Sequence, residues 1–467
     1  MIFEEALAEW LGDQRWFAGK GQWLHDLTIV ADTELVSGDP GLRHLVVAVS
    51  HGTHVDYYQI FVGLRRRLPA RLQHARITPA DGATAAAGTA GGVTAGSGAI
   101  AYDALHDADL TRPLLAAIAA DASAGTLRMR KVEGASFRTD LDSLVLTAEQ
   151  SNTSLVYGEE SILKVFRRIS PGPNPDLEVS TALARLGSSH VAEPLGWIET
   201  RLEGVPTSLA ILSRYLRLAT DGWSFAATSV RDLYAMTEDA QAATGVSAED
   251  AGGDFAGEAY RLGTATAQVH ADLAAAFGTE ELTAEAVGEL TERMFRKLDQ
   301  TVAAVPELAK YADMISDSYA ALARLRGPFP VQRIHGDYHL GQVLRTETGW
   351  VVLDFEGEPA TPLAERRARD SALRDVAGML RSFDYAARHQ LIGHADAAAL
   401  SDTARDWVGR NAAAFCAGYA EAGGQDPAAH HVLLRALQLD KAVYEVLYEA
   451  RHRPSWLPIP LDSLAEF

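Results

Sequence analysis

The sequence predicts an α+β fold in three successive parts. These are a β-rich cap over residues 1–100, a β-rich intermediate lobe over 101–216 and a mainly helical lobe over 217–467. Three observations lead there. The chain has 467 residues, more than the roughly 250–300 at which a single hydrophobic core stops growing. Runs rich in β-branched and aromatic residues are concentrated before Tyr215, whereas almost everything after Asp221 carries helical periodicity. No segment recurs at a fixed period, which argues against solenoids and propellers.

The elements follow in order. A short helix from Phe3 to Leu11 leads into the cluster QRWFAGKG. The runs LTIVADTELV, HLVVAVS and HVDYYQIFVGL, separated by SGDPG and SHGTH, predict an antiparallel meander. Residues 79–98 are Ala/Gly/Thr-rich and nearly uncharged, which predicts a flexible surface loop. Its Gly-Ser-Gly lacks the flanking strand and helix that a nucleotide-binding glycine loop requires. From about Leu127 to Tyr215 the strands SLVLTAE, TSLVYG, SILKVFRR and SLAILSRYL surround one helix, NPDLEVSTALARLG. The helical remainder is interrupted by one β island, from Pro330 to Glu358.

Composition narrows the function. With 62 acidic against 42 basic side chains the formal net charge is -20, which argues against a nucleic-acid or anionic-membrane partner. Hydrophobic content of 47% and charged content of 22% exclude disorder as the main state. The single cysteine, Cys416, lies in the apolar stretch RNAAAFCAGY and is expected to be a small core residue. The N-terminal MIFEEALAEWLGDQRWF has no apolar signal region, and no run approaches the ~18 apolar residues of a membrane span, so a cytoplasmic location is expected.

The densest polar cluster is RIHGDYHLGQVLRTETGWVVLDFEGEP, residues 333–359. Asp337 is followed five residues later by Gln342 and seventeen later by Asp354. Between them QVLRTETGWVVLDF reads as a hairpin turning at Thr348-Gly349, which returns Asp354 to the loop holding Asp337. Such convergence suits phosphoryl transfer from ATP. One carboxylate accepts the proton of an attacking hydroxyl, while an amide and a second carboxylate hold Mg²⁺ on the phosphates. Asp337 is therefore the candidate catalytic base, and Gln342 and Asp354 are the candidate metal ligands. His335 and His339 sit at the matching offsets, His339 as a candidate acceptor-side contact. The spacing is that of a kinase catalytic loop and metal segment, with Gln for Asn and D-F-E for D-F-G.

A kinase of this type also needs a strand lysine on the phosphates and a helical glutamate to hold it. Lys164 in SILKVFRR and Glu178 in NPDLEVSTAL are the candidates. The turn EQSNTS offers Ser151, Asn152 and Thr153 as phosphate donors in place of a glycine loop. SLAILSRYLRL, with Ser213 to Leu216, is the candidate hinge for the adenine.

QRWFAGKG, HGDYHLGQVL, LDFEGEPATPLAERRARDSALRDVAGMLRSFDYAA and DKAVYEVLYEARHRPSWLPIPL together resemble the actinobacterial maltokinase family, which includes a branch acting on glucosamine. The resemblance runs from residue 14 to about 461. It implies a protein-kinase-like, aminoglycoside phosphotransferase-like bilobal fold with an added N-terminal cap, and ATP- and Mg²⁺-dependent phosphorylation of a sugar hydroxyl. By the same likeness Asp337 is the base, Gln342 and Asp354 bind the metal, Lys164 and Glu178 form the nucleotide pair, and Glu356 is a third acid near the metal.

In LDKAVYEVLYEARHRP, Lys441, Glu445 and Tyr448 share one helical stripe, as do Asp440, Tyr444 and Tyr448. That mixture of charges and rings suits a sugar, and Trp407 is a candidate further wall. The arginines of ERRARDSALRDVAG, with Asp370 and Asp375, are candidates to buttress the metal loop by ion pairs. His270 is expected to be a core histidine. The expected partner is a small sugar, with no nucleic acid and no membrane, and the oligomeric state stays open. The carboxylates Glu356, Glu358, Asp440, Glu445 and Glu449 favour a cationic acceptor, glucosamine phosphorylated at O6, over maltose phosphorylated at O1. A catalytically dead scaffold is the remaining alternative, resting on the Gln-for-Asn change and the missing glycine loop.

Overall fold

The computed structural model describes residues 3–19, 26–51, 54–77, 99–146, 151–240, 254–327, 329–358 and 361–467. The loop expected over 79–98 lies outside them. The chain divides into two compact units, Met1–Thr181 with Ala192–Arg217, and Ala182–Val191 with Leu218–Phe467.

In the first unit the helix Phe3–Gly12 buries Phe3, Ala6, Leu7 and Leu11, a stripe at helical spacing. It packs on the meander Asp26–Val36, Gly41–His51 and His54–Arg65, which is antiparallel throughout. Because strand side chains alternate, Leu45, Val47 and Val49 face the helix with Phe3, Leu7 and Leu11. Leu42 and Val46 face the opposite core. Burial on both faces explains why this strand reads as a continuous apolar run.

A seven-stranded antiparallel sheet forms the rest of the unit. Its spatial order is Ser123–Ala124, Leu127–Lys131, Pro194–Leu202, Val205–Arg214, Ser161–Val165, Thr153–Tyr157 and Ser143–Val145. The strand Ser161–Val165 runs on into Arg168–Ile169, which pairs with Tyr57 and Tyr58 of the cap sheet. One stretch of backbone thus belongs to both sheets. Gln59, fully buried, clamps this junction by donating from Nε2 to the carbonyls of Phe166 (2.8 Å) and Leu209 (2.5 Å). With its nitrogen so used, its oxygen must accept, so His44 Nε2 carries the proton of their 3.0 Å bond.

Burial lowers the His44 pKa to about 4 and keeps the ring neutral, against the weaker pull of Gln59. The unfolded chain takes up this proton near pH 6.5, so stability is complete above that value and falls as the pH drops towards 4. By pH 5 the loss is about 2 kcal/mol from this residue alone. Urea midpoints at pH 8 and pH 5 check it: His44→Gln should show a shallower pH dependence than the natural chain, and equal slopes would refute the assignment.

The second unit is mainly helical. The helices Ala256–Phe277 and Ala397–Glu421 cross with their backbones nearly touching. A Cβ on Gly263 would come within 2.0 Å of the Phe415 carbonyl oxygen, and one on Gly418 within 2.1 Å of that of Tyr260. The helix Leu373–Arg388 is buried almost along its whole length. A small sheet joins Thr220–Asp221 to the hairpin Val343–Thr346 and Gly349–Val352. The hairpin stands where the sequence predicts it, but Thr346 pairs with Gly349, so Glu347 and Thr348 make the turn. Gly349 opens the return strand at φ +146°, a conformation that favours glycine. Cys416 is half-buried rather than a core residue, and burial raises its thiol pKa to about 11. Among the described residues no helix is long and apolar enough to cross a membrane.

Candidate active site

The loop His335-Gly336-Asp337 is held from below by one carboxylate. Asp375, in the first turn of the buried helix Leu373–Arg388, accepts the backbone N–H of His335 on Oδ2 (2.7 Å) and that of Gly336 on Oδ1 (2.9 Å). Its Oδ2 also meets Nε2 of His270 at 3.0 Å. Burial opposes the charge on Asp375, yet His270, His335 and the Gly336 amide hold its carboxyl below the usual range. His270 is indeed buried, as expected, but it is tied to this loop, and its Nδ1 pairs with the Tyr419 hydroxyl at 2.9 Å. Asp375 therefore buttresses the loop through amides and a histidine, where the sequence suggested arginine ion pairs. Asp370 makes the arginine pair, with Arg374 at 2.5 Å.

His335 links this loop to the metal segment. Its Nε2 lies 2.8 Å from the Leu353 carbonyl, which can only accept, so Nε2 carries the proton. Nδ1 is then free to accept the Asp337 N–H at 3.3 Å. Gly378 lets the buried helix lie against the loop, since a Cβ there would stand 2.5 Å from the Tyr338 carbonyl oxygen.

Asp354 adopts φ +60°, a left-handed conformation uncommon outside glycine that aspartate tolerates better than most residues. Gln342 Nε2 approaches its Oδ2 at 3.4 Å, and the Leu353 N–H donates to the Gln342 carbonyl at 2.9 Å. Carboxylate oxygens of Asp354 and Glu356 lie within 4.8 Å of each other. Arg366 donates to the Glu356 carbonyl at 3.1 Å, which steadies the segment.

Beside Asp337 stands one face of the helix His431–His452. Lys441 Nζ is 3.3 Å from Asp337 and 3.5 Å from Glu358, and lies 5.0 Å from the Tyr444 ring centre. Burial alone would lower the Lys441 pKa, but Asp337 and Glu358 raise it well above the ordinary lysine value. Tyr444 donates to Glu358 at 2.7 Å and stacks on Tyr448, which is 37% exposed.

The other candidates on this helix turn inward, which corrects the sequence reading. Asp440 is buried between Lys297 (2.6 Å) and Arg374 (3.3 Å). Glu445 is buried against Arg381 at 2.6 Å, and Glu449 against Arg453 at 2.6 Å and Tyr385 at 3.2 Å. A buried acid must be partnered, and these three are. Trp407 is 1% exposed, packed among Phe255 and Phe383, with its indole N–H on Ser229 at 3.1 Å. It is a core residue, not a sugar wall. His339 is half-buried, and its Nδ1 accepts the Gly341 N–H at 3.1 Å, closing the turn before Gln342. Burial lowers its pKa.

The nucleotide candidates belong to the first unit. Lys164 pairs with Asp176 at 2.9 Å, both side chains mostly buried. Asp176 opens the helix Pro175–Arg185, which also carries Glu178, and it is the partner the sequence reading passed over. Ser151 is exposed and Asn152 buried. The Thr153 hydroxyl accepts from Arg167 Nε at 2.8 Å, which anchors the turn. Ser213 lies in the strand Val205–Arg214, in register with Pro194 and Ile162. The N–H groups of Arg214 and Tyr215 go to Glu193 and Glu160, leaving Leu216, half-buried, as the first residue beyond the sheet.

Comparison with known proteins matches two families along the chain. Residues 10–107 match the family described as maltokinase N-terminal cap domain, and residues 149–407 match the phosphotransferase enzyme family. A glucosamine kinase of Streptacidiphilus jiangxiensis is 34% identical over 335 residues, 69% of this chain and 72% of that protein. A glucosamine kinase of Mycolicibacterium smegmatis is 30% identical over 330 residues, 68% and 78% of the two chains. The solved structure of a glucosamine kinase in complex with glucosamine, ADP and inorganic phosphate aligns with TM-score 0.67 and 27% identity, over 99% of this chain and 98% of that one. A second crystal form of glucosamine kinase gives TM-score 0.69 and 26% identity over the same shares.

Proposed function

Since the chain belongs to the phosphotransferase enzyme family and is related to glucosamine kinases, we propose that it transfers the γ-phosphate of ATP to O6 of glucosamine. The observation that carries this reading is the group around Asp337. A carboxylate for the hydroxyl proton stands beside Lys441, with Glu358 and the Tyr444–Tyr448 rings next to it. Hydroxyls take hydrogen bonds from such a set, a sugar ring face stacks on tyrosines, and the Glu358 carboxylate suits an ammonium group. The acidic lean towards an amino sugar now rests on Glu358, which shares Lys441 with Asp337 and stays partly exposed, because Asp440, Glu445 and Glu449 are buried against other cations.

The residues present fit Mg²⁺, a hard cation that takes oxygen ligands. Asp354 and Glu356 bring two carboxylates within 4.8 Å, and the Gln342 amide adjoins Asp354. These three would hold the metal, which supplies charge neutralisation on the phosphates when bound. Lys164, steadied by Asp176, is the residue we assign to the ATP phosphates. Asp337 hydrogen-bonds the acceptor hydroxyl and takes its proton as the phosphoryl group arrives. The scaffold alternative falls with the family assignment.

Maltose, phosphorylated at O1, is the second reading, favoured by the match to the maltokinase cap. A coupled ADP-release assay with glucosamine, maltose, glucose and an aminoglycoside separates them, with turnover expected on glucosamine. Glu358→Gln is expected to raise KM for glucosamine roughly tenfold and to leave KM for glucose nearly unchanged, the effect of one charge-assisted contact to the amine. Equal effects on both sugars would remove Glu358 from amine recognition.

A further inference from the structure

The cap contributes residues to a buried polar assembly that ends at the Ser151–Thr153 turn. Arg167 is 1% exposed and follows the strand that carries Lys164. Its Nε donates to Thr153 Oγ1 at 2.8 Å, its Nη2 to Asp103 at 2.5 Å, and its plane lies 4.9 Å from the Trp16 ring centre. Its backbone carbonyl accepts the Gln59 N–H at 3.0 Å. Trp16, Gln59 and Asp103 all lie within the cap match, residues 10–107. Two cap residues, Trp16 and Asp103, thus hold the guanidinium and a third, Gln59, holds its backbone, while the guanidinium in turn holds Thr153.

A buried arginine is costly unless its fork is filled and its charge matched. Here Asp103 matches the charge while Nη1 finds no hydrogen-bond partner among the described residues, and a purely architectural staple could sit anywhere along the junction. This one ends on the hydroxyl of Thr153, directly after the two candidate phosphate donors. We propose that Arg167 is a positioning residue through which the cap holds the Ser151–Thr153 turn ready for the ATP phosphates. The proposal rests on reading that turn as the phosphate-binding element. A turn already ordered by Arg167 spares the nucleotide the entropy of ordering it, and so tightens ATP without touching the acceptor. It also gives a role to the tryptophan of QRWFAGKG.

The test uses the full-length chain with two cap variants, Asp103→Asn and Trp16→Leu. Each is expected to raise KM for ATP roughly tenfold, the size of one lost charge-assisted contact, while KM for the sugar stays within about twofold. Amides 153–157 should exchange hydrogen faster in both variants. Asn152→Ala tests the underlying reading separately: if it leaves KM for ATP unchanged, the turn does not bind phosphate. If it raises KM for ATP while both cap variants leave it unchanged, the coupling through Arg167 is overturned. Equal losses in both KM values and in kcat would mark a general staple and also overturn the proposal. Should Trp16→Leu fold poorly, Trp16→Phe keeps a ring over Arg167 and is expected to give a smaller rise in the same constant.

Discussion

Asp337→Asn is expected to lower kcat roughly a thousandfold, the upper part of the range for a lost general base, while ATP affinity stays within about twofold. The two effects separate because different residues carry them. The loop geometry is set by Asp375 acting on the backbone amides of His335 and Gly336, not on the Asp337 side chain. An asparagine at 337 therefore keeps the fold of the loop and removes only the proton acceptor and the charge facing Lys441. Steady-state turnover and direct titration of ATP together check it. A variant retaining more than about a tenth of the natural kcat would show that another group takes the proton.

Asp375→Asn is the second large effect, and its origin is different. Both oxygens of Asp375 accept, Oδ1 from Gly336 and Oδ2 from His335 and His270. An amide supplies one acceptor and one NH₂, so at least one buried donor would face another donor. The expected cost is about 3 kcal/mol of stability, with kcat lowered about a hundredfold by the displaced loop and KM for ATP little changed. Because the native carboxyl titrates below its usual range, the stability it provides is present at neutral pH. It is lost only as the pH falls below the ordinary carboxylate range. Chemical denaturation at neutral pH, run beside turnover, checks both numbers. An unchanged midpoint would mean that the loop does not depend on this carboxylate.

Local spacing made the catalytic loop legible. Asp337, Gln342 and Asp354 are linked by a hairpin short enough to be read from alternation and turn residues, and the meander of the cap was readable in the same way. The helix Ala108–Ala119 and the strand Pro194–Leu202 were not anticipated. The acceptor helix was legible only in part. Its periodicity places Asp440, Lys441, Tyr444, Glu445 and Tyr448 on neighbouring stripes, but the cations that claim Asp440 and Glu445 lie 143, 66 and 64 residues away, at Lys297, Arg374 and Arg381. Nothing local tells an acid meant for a buried arginine from one meant for a ligand. Asp176 was missed for a related reason. Two acids share the first turn of one helix, and spacing alone singled out Glu178 without showing that Asp176 also meets the Lys164 strand.

The stretch of backbone shared by the two sheets of the first unit sets an order of assembly on the ribosome. The cap meander emerges first, yet Gln59 must wait 107 residues for the Phe166 carbonyl and 150 for that of Leu209. Until then the strand His54–Arg65 presents an unpaired edge where Arg168 and Ile169 will later dock, and unpaired edges recruit other chains. At about 5–20 residues per second that exposure lasts on the order of ten seconds. The nascent cap is an adhesive intermediate, and the polypeptide that silences it is the one that carries Lys164.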